Sequence, residues 1–311
     1  MPELPEVESI RLGLLKSIVS QKILNVEIRN EKIVSSNSNI RKADQNKTNN
    51  FIKNLIGKKI ININRRAKNI IIEMDDANII LIHLKMTGQL IYNPFRLSGT
   101  FPEGRKNTFN SSTTDRLNSS TATSDTVNKH THIIFELENG KLLYNDVRQF
   151  GYVLYYKDMN DLLANKHFKN LGVEPFEQEF TLKYLKEKFA NTNKNIKSAL
   201  LSQNIVVGIG NIYADEICFA SNLLPQRLCK TLNEIEMSKL YKNIKNILSE
   251  AIASGGSSVS DYKLVNGESG RYHLEHKVYG RSGKECYTCK TILTKDIIMG
   301  RSSVWCEECQ K

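Results

Sequence analysis

Two short cysteine pairs near the carboxyl end, "CYTC" (286–289) and "CEEC" (306–309), constrain this chain more than any other stretch. Two residues between the cysteines of a pair let both sulfurs converge from one tight turn. The sixteen residues that separate the pairs suffice for a β-hairpin that returns the second pair to the first. Four thiolates so placed form a tetrahedral donor set for one structural Zn2+, held by Cys286, Cys289, Cys306 and Cys309. Disulfides are the competing use, and the start of the chain argues against them. Glu3, Glu6 and Glu8 stand where a secretory signal would carry Lys or Arg ahead of an apolar core. No apolar run approaches membrane-spanning length, so the reading is a cytoplasmic protein with no membrane partner. Cys218 and Cys229 fall outside the motif and read as ordinary helix residues. Lys290, Lys295 and Arg301 lie between the pairs, so the hairpin would present cations.

Lys and Arg number 44 against 33 Asp and Glu, a net charge of +11 over 311 residues. Such a surplus suits an anionic partner, nucleic acid or a membrane surface. The chain is also rich in Asn, Lys and Ile, a bias that supplies lysine without any function, so charge by itself leaves the partner open. The length fits two domains, or one large domain with an appendage.

The pattern along the chain divides it. Val7, Ile10, Leu14 and Ile18 recur at helical spacing after Pro5, which suits a first helical turn. Residues 23–30, 59–66, 69–74, 79–84, 132–137, 141–146 and 151–156 read as strands joined by tight turns. Residues 35–50 read as polar loop. Residues 94–128, Ser/Thr/Asn-rich and nearly free of aliphatics, read as a mobile insertion. From about 177 the period turns helical, with helices expected over 181–190, 195–203, 211–222 and 231–254. Thr231 and Glu234 have the spacing of a capping box for the last. The fold class is α+β: an N-terminal two-layer antiparallel β-sandwich with a flanking helix, a C-terminal helical domain and a β-hairpin zinc finger. The expected boundaries are 1–160, a linker over 161–180, 181–276 and 277–311.

Two features remain. Gly208 and Gly210 of "VVGIGNIYADE" (206–216) precede a helix start, which makes either a phosphate cradle or a tight helix–turn–helix. The opening "MPELPEVESI" explains Pro5 and Glu6 as a helix start but leaves Pro2 and Glu3 without a structural reason.

Taken together, "PELPEVE" (2–8), "RRAK" (65–68), "HLKMTG" (83–88), "KHTH" (129–132), "VVGIGNIYADE", "VYGRSGKEC" (278–286) and the terminal "CEECQK" resemble the formamidopyrimidine-DNA glycosylases, bacterial enzymes that remove oxidised purines from DNA. The resemblance covers nearly the whole chain apart from 94–128, and it implies a helix–two-turn–helix form for the helical domain. It further implies that Met1 is removed and that the Pro2 nitrogen becomes the nucleophile. A secondary amine that attacks a sugar C1′ gives an iminium ion directly, which opens a route to strand cleavage by elimination. Glu3 would be the acid/base that protonates the ribose ring oxygen, and Glu6 would support the site. Lys68 would contact phosphate close to the lesion; Lys194, Asn211 and Arg301 would bind the backbone phosphates that flank it, and His130 would be a further DNA-binding residue. Met86, Arg148 and Phe150 would fill the space left by an extruded base, with Arg148 facing the orphaned cytosine. A mobile loop at about 261–272 would cover that base. Val147 and Gln149 around Arg148, Lys85, and Ser269 depart from residues usual in the family.

The implied activity is a bifunctional glycosylase/AP lyase acting on damaged double-stranded DNA as a nucleoid-associated monomer. The alternatives are an endonuclease VIII-like enzyme for oxidised pyrimidines and a catalytically silent lesion-binding protein. The latter would tolerate loss of Pro2 or Glu3, and both are present.

Overall fold

A computed structural model of the chain describes residues 1–35, 42–95, 127–258 and 262–311. Most of the insertion expected at 94–128 lies outside the described residues. The chain opens with helix α1 (Leu4–Ser17), followed by β1 (Ile23–Ile28), a single helical turn α2 (Lys32–Ser35) and α3 (Gln45–Leu55). Strands β2 (Ile60–Arg66), β3 (Asn69–Met74), β4 (Ile79–His83), β5 (Gly88–Pro94), β6 (Thr131–Leu137), β7 (Gly140–Asp146) and β8 (Tyr152–Tyr156) complete the first half. They form two four-stranded sheets, ordered β1-β6-β7-β5 and β2-β3-β4-β8, and each neighbouring pair is antiparallel.

Alternation places Ile63, Ile70, Ile72, Ile80, Ile82 and Val153 of one sheet against Val26, Ile133, Phe135, Leu142 and Tyr144 of the other. The apolar stripe of α1, Val7, Ile10 and Leu14, enters the same core. Strands β3 and β4 are buried on both faces, which is why they read as near-continuous isoleucine runs. Their outer side chains, Ile71, Ile79 and Leu81, pack with Leu162 of α4 (Met159–Ala164) and Phe168 of α5 (Lys166–Lys169). Much of the segment expected as a linker is therefore packed structure.

The loop expected at 35–50 is partly helix. Asp44 caps α3 by accepting from the Lys47 N–H at 3.1 Å, and Thr48, Phe51 and Leu55 bury one side. That stripe holds only two large apolar residues, too few to stand out from the Asn and Lys around it. Strand β5, also unanticipated, pairs with β7 from Gly88 opposite Asp146 to Pro94 opposite Gly140.

The second half builds its own core from α6 (Leu182–Ala190), α7 (Ile196–Leu201), α8 (Asn211–Ala220) and α9 (Glu234–Ala253), through Leu185, Phe189, Leu200, Tyr213, Ile217, Leu240, Ile244 and Leu248. The capping box of α9 is Asn233 with Glu236, two residues later than the expected Thr231 with Glu234. Thr231 instead ends a 3-10 turn over Cys229–Thr231. The hairpin β9 (Thr294–Ile298) and β10 (Arg301–Trp305) follows. Among the described residues no helix is long and apolar enough to cross a membrane.

The segment expected as a mobile cover is anchored where it is described. Tyr262 and Val265 are buried in the sandwich core, and the Val265 carbonyl accepts from the Tyr92 N–H of β5 at 2.9 Å. Gly13 makes room for this: a Cβ there would meet Val265 Cγ2 at 3.0 Å.

Candidate active site at the amino terminus

Pro2 is buried while Met1 is 43% exposed, so the chain passes inward from the surface at its first peptide bond. Two helix starts grip each other at this point. At the start of α1, Glu6 turns back and accepts the Glu3 N–H at 2.8 Å, the capping-box bond expected of an acidic first turn. The Glu3 side chain leaves its own helix and reaches the start of α8. There it accepts from Gly210 N at 2.6 Å, Ile212 N at 2.9 Å and Tyr213 N at 3.4 Å.

This resolves the Gly-x-Gly stretch. The helix start is an anion cradle, but the anion it holds is the carboxylate of Glu3. Both glycines are needed for the approach. A Cβ on Gly210 would sit 2.3 Å from Glu3 Cδ, and one on Gly208 (φ +88°) 2.5 Å from Leu4 Cβ. The Leu4 N–H completes the junction by donating to the Gly208 carbonyl at 2.9 Å.

Glu6 is buried as well. Besides Glu3 N it accepts from Tyr213 Oη at 2.5 Å and from Ser257 N at 2.7 Å. Burial and then the neighbouring Glu3 charge push its carboxyl pKa up, while these hydrogen bonds oppose the rise. Lys68 sits on the β2–β3 turn beside Ala67, a residue with φ +55°, and its Nζ donates to the Ile209 carbonyl at 3.0 Å. Burial pushes its amine pKa down. The Glu3 and Glu6 charges resist that shift, and the Arg301 and Lys85 charges add to it. Lys68 thus feels two carboxylates and two cations. Arg301 is exposed at the start of β10.

Met86, Arg148 and Phe150 come together at the sandwich edge. Arg148 Nη1 lies 3.0 Å from Met86 Sδ, and its guanidinium carbon lies 4.5 Å from the Phe150 ring centre. Met86 and Phe150 are 41% and 40% exposed, so neither is a core residue. Asn211 Nδ2 donates to the Ser302 carbonyl of β10 at 2.9 Å, and Lys194 is exposed with its ammonium on Ser202 Oγ. His130 is half-buried, and its carbonyl accepts from the Asp146 N–H at 2.9 Å. Its neighbour His132 is the buried one, with Nε2 against the Asp146 carbonyl at 2.8 Å.

Several supports escaped the sequence reading. Lys197 and Asp215 form a fully buried pair at 2.7 Å. Lys197 also donates to Ser302 O at 2.8 Å, and Asp215 accepts from Ser303 Oγ and Val304 N at 2.8 and 3.2 Å. Glu216 accepts three backbone N–H groups, from Lys277, Val278 and Tyr279. The pair Asp215-Glu216 therefore nails the cysteine hairpin to α8. Glu174 accepts from the Ala67 N–H at 2.6 Å and pairs with Arg65 and Arg66, which steadies the turn that carries Lys68. Only "IYADE" hinted at any of this, as acidic residues on an otherwise apolar helix.

The thiol sulfurs of Cys286, Cys289, Cys306 and Cys309 all lie within 4.8 Å of one another. A tetrahedron of Zn–S bonds near 2.3 Å spaces its sulfurs about 3.8 Å apart, so the donor set fits one metal ion.

A sandwich whose first helix is held by a helix–two-turn–helix unit, with a four-cysteine hairpin beyond it, matches a known class of protein. The model of the Formamidopyrimidine-DNA glycosylase N-terminal domain matches residues 1–153, and that of the Formamidopyrimidine-DNA glycosylase H2TH domain matches residues 171–263. The chain belongs to the formamidopyrimidine-DNA glycosylase family of DNA repair enzymes. It is 35% identical over its whole length to the formamidopyrimidine-DNA glycosylase of Carboxydothermus hydrogenoformans, also covered in full. The solved Fpg of Lactococcus lactis is 31% identical, with a TM-score of 0.81 over all of both chains in a complex with DNA containing N7-benzyl-Fapy-dG. A second structure of that protein, with a TM-score of 0.80, holds DNA containing an oxidised pyrimidine.

Proposed function

We infer that this chain excises oxidised purines, 8-oxoguanine and formamidopyrimidines, from duplex DNA and then nicks the strand. The observation that carries the reading is the double anchoring of Glu3. Its N–H is held by Glu6 and its carboxylate by α8, so the residue before it is fixed close to the peptide that Lys68 also binds. A fixed proline nitrogen beside an anchored carboxylate suits a reacting amine.

Once Met1 is removed, Pro2 carries a secondary amine. Its nitrogen bonds to C1′ of the damaged nucleotide as the C1′–base bond breaks, and the base leaves with the electron pair and takes up a proton. Glu3 takes the proton that the attack leaves on the Pro2 nitrogen and passes it to the ring oxygen, the sugar ring opens, and the freed nitrogen lone pair forms the iminium. The iminium acidifies the C2′ hydrogen. Its loss expels the 3′ phosphate, a second elimination expels the 5′ phosphate, and water hydrolyses the iminium to free Pro2. Lys68 faces the phosphate at the lesion, and Lys194, Asn211, Arg301 and His130 hold the flanking backbone; such contacts position the duplex without specifying a base. Met86, Arg148 and Phe150 fill the vacated stack, with Arg148 toward the orphaned cytosine. The four cysteines hold Zn2+ as a closed structural site.

A second reading, action on oxidised pyrimidines, is favoured by the Lactococcus lactis complex with such DNA. Borohydride reduction in the presence of a duplex with 8-oxoguanine opposite cytosine tests the proposal. A covalent adduct that maps to Pro2 by peptide mass is expected. An adduct on a lysine instead, or full activity in protein that retains Met1, would overturn it. Adducts formed with oxidised-pyrimidine duplexes alone would favour the second reading.

A further inference from the structure

Glu3 and Lys68 never touch, yet both bind the same peptide unit. The Ile209–Gly210 peptide offers its N–H to Glu3 Oε2 at 2.6 Å and its carbonyl oxygen to Lys68 Nζ at 3.0 Å. A third group holds this plane in place. Gln203 Nε2 donates to the same Ile209 carbonyl at 2.9 Å and to the Leu201 carbonyl at 3.0 Å. Its Oε1 accepts from the Gly208 N–H at 2.8 Å. The orientation of the amide follows from those partners, since an N–H needs the oxygen and two carbonyls need the nitrogen.

We propose that Gln203 is a positioning residue that locks the Ile209–Gly210 peptide plane and so keeps Glu3 and Lys68 in register. The inference rests on the roles given above to those two residues. Its physical basis is the two-ended peptide. Donors at the carbonyl end draw charge toward the oxygen, which strengthens donation from the N–H end to the carboxylate. Rotation of the plane would break both bonds at once. Gly208, with φ +88°, and Gly210 have no side chains to resist that rotation. Gln203 supplies the resistance from outside the loop, by bonding to the Val207–Gly208 and Ile209–Gly210 peptide units that flank the Gly208–Ile209 unit.

Single-turnover excision from a duplex with 8-oxoguanine opposite cytosine is compared with affinity for a duplex carrying a tetrahydrofuran abasic analogue and with melting temperature. The proteins are wild type, Gln203→Met, Lys68→Ala and the double variant. Methionine matches the length of glutamine but offers no amide. The expected result is a rate lowered roughly 10- to 100-fold, with affinity and melting temperature little moved. The double variant should lose less than the product of the two single effects, because both changes act through one peptide. Gln203→Glu, which keeps the acceptor for Gly208 N but sets a carboxylate against the Ile209 carbonyl, should slow excision as well. A wild-type rate in either folded variant, or full multiplicativity with Lys68→Ala, would overturn the role. No excision by the wild type would instead overturn the functional reading beneath it.

Discussion

His276 is buried with its Nε2 2.9 Å from Ser257 Oγ, and the rings of Tyr272 and Tyr279 stand edge-on to it. Burial, with a smaller push from His273, moves its pKa from 6.5 down to about 4. A depressed histidine pKa means the unfolded chain takes up the proton first. The contribution is therefore complete above about pH 6.5 and is lost as pH falls toward about 4. Thermal melts at about pH 7 and about pH 4.5 should show a smaller acid-induced drop for His276→Leu than for wild type; equal drops would refute the assignment. At this scale the sequence was a partial guide. Glu3, Glu6 and Lys68 stood out through motifs, and hydrogen bonds join Glu6 to Glu3 and set Glu3 and Lys68 on one peptide. Tyr213, Ser257 and Gln203 did not, because a tyrosine in a helix stripe or a serine after two glycines has many uses until its partner is known.

At the scale of elements, the cysteine hairpin was the most legible part of the chain. Spacing alone set its ligands, and β9 and β10 fall between the pairs as the sixteen-residue gap required. The sole tryptophan, Trp305, is 7% exposed in β10 beside Cys306, which makes it a reporter of this element. Elemental analysis should find one zinc per chain. Removal by a strong chelator should red-shift Trp305 emission and weaken binding to duplex DNA. Unchanged emission after complete metal loss would show that the ion does not build the hairpin. Helix α3 and the cap of α9 were less legible. The first hides a short apolar stripe among Asn and Lys, and for the second two candidate caps, Thr231 and Asn233, stand two residues apart. The chain's path into Cys229–Thr231 decides between them.

At the scale of the whole molecule, contacts between distant segments hold the site together. The Lys197–Asp215 pair joins α7 and α8 to β10, and both side chains are fully buried. Burial pushes the Asp215 pKa up, against the pull of Lys197. Lys197→Met strands the aspartate and should cost about 3–5 kcal/mol, read as a lower denaturation midpoint. Lys197→Met with Asp215→Leu should recover part of that loss, and no recovery would argue that the pair contributes only packing. The sequence by itself determined most of the strands, the helical half, the four-cysteine cluster and the family, because each is written in local period, spacing or motif. Only the tertiary structure decided that the anion at the α8 start is Glu3, that Tyr262 and Val265 belong to the sandwich core, and that one peptide joins Glu3 to Lys68. Those facts rest on hydrogen bonds and packing between residues as much as about 250 positions apart. Local pattern does not encode such pairings; they exist only once both halves of the chain have folded against each other.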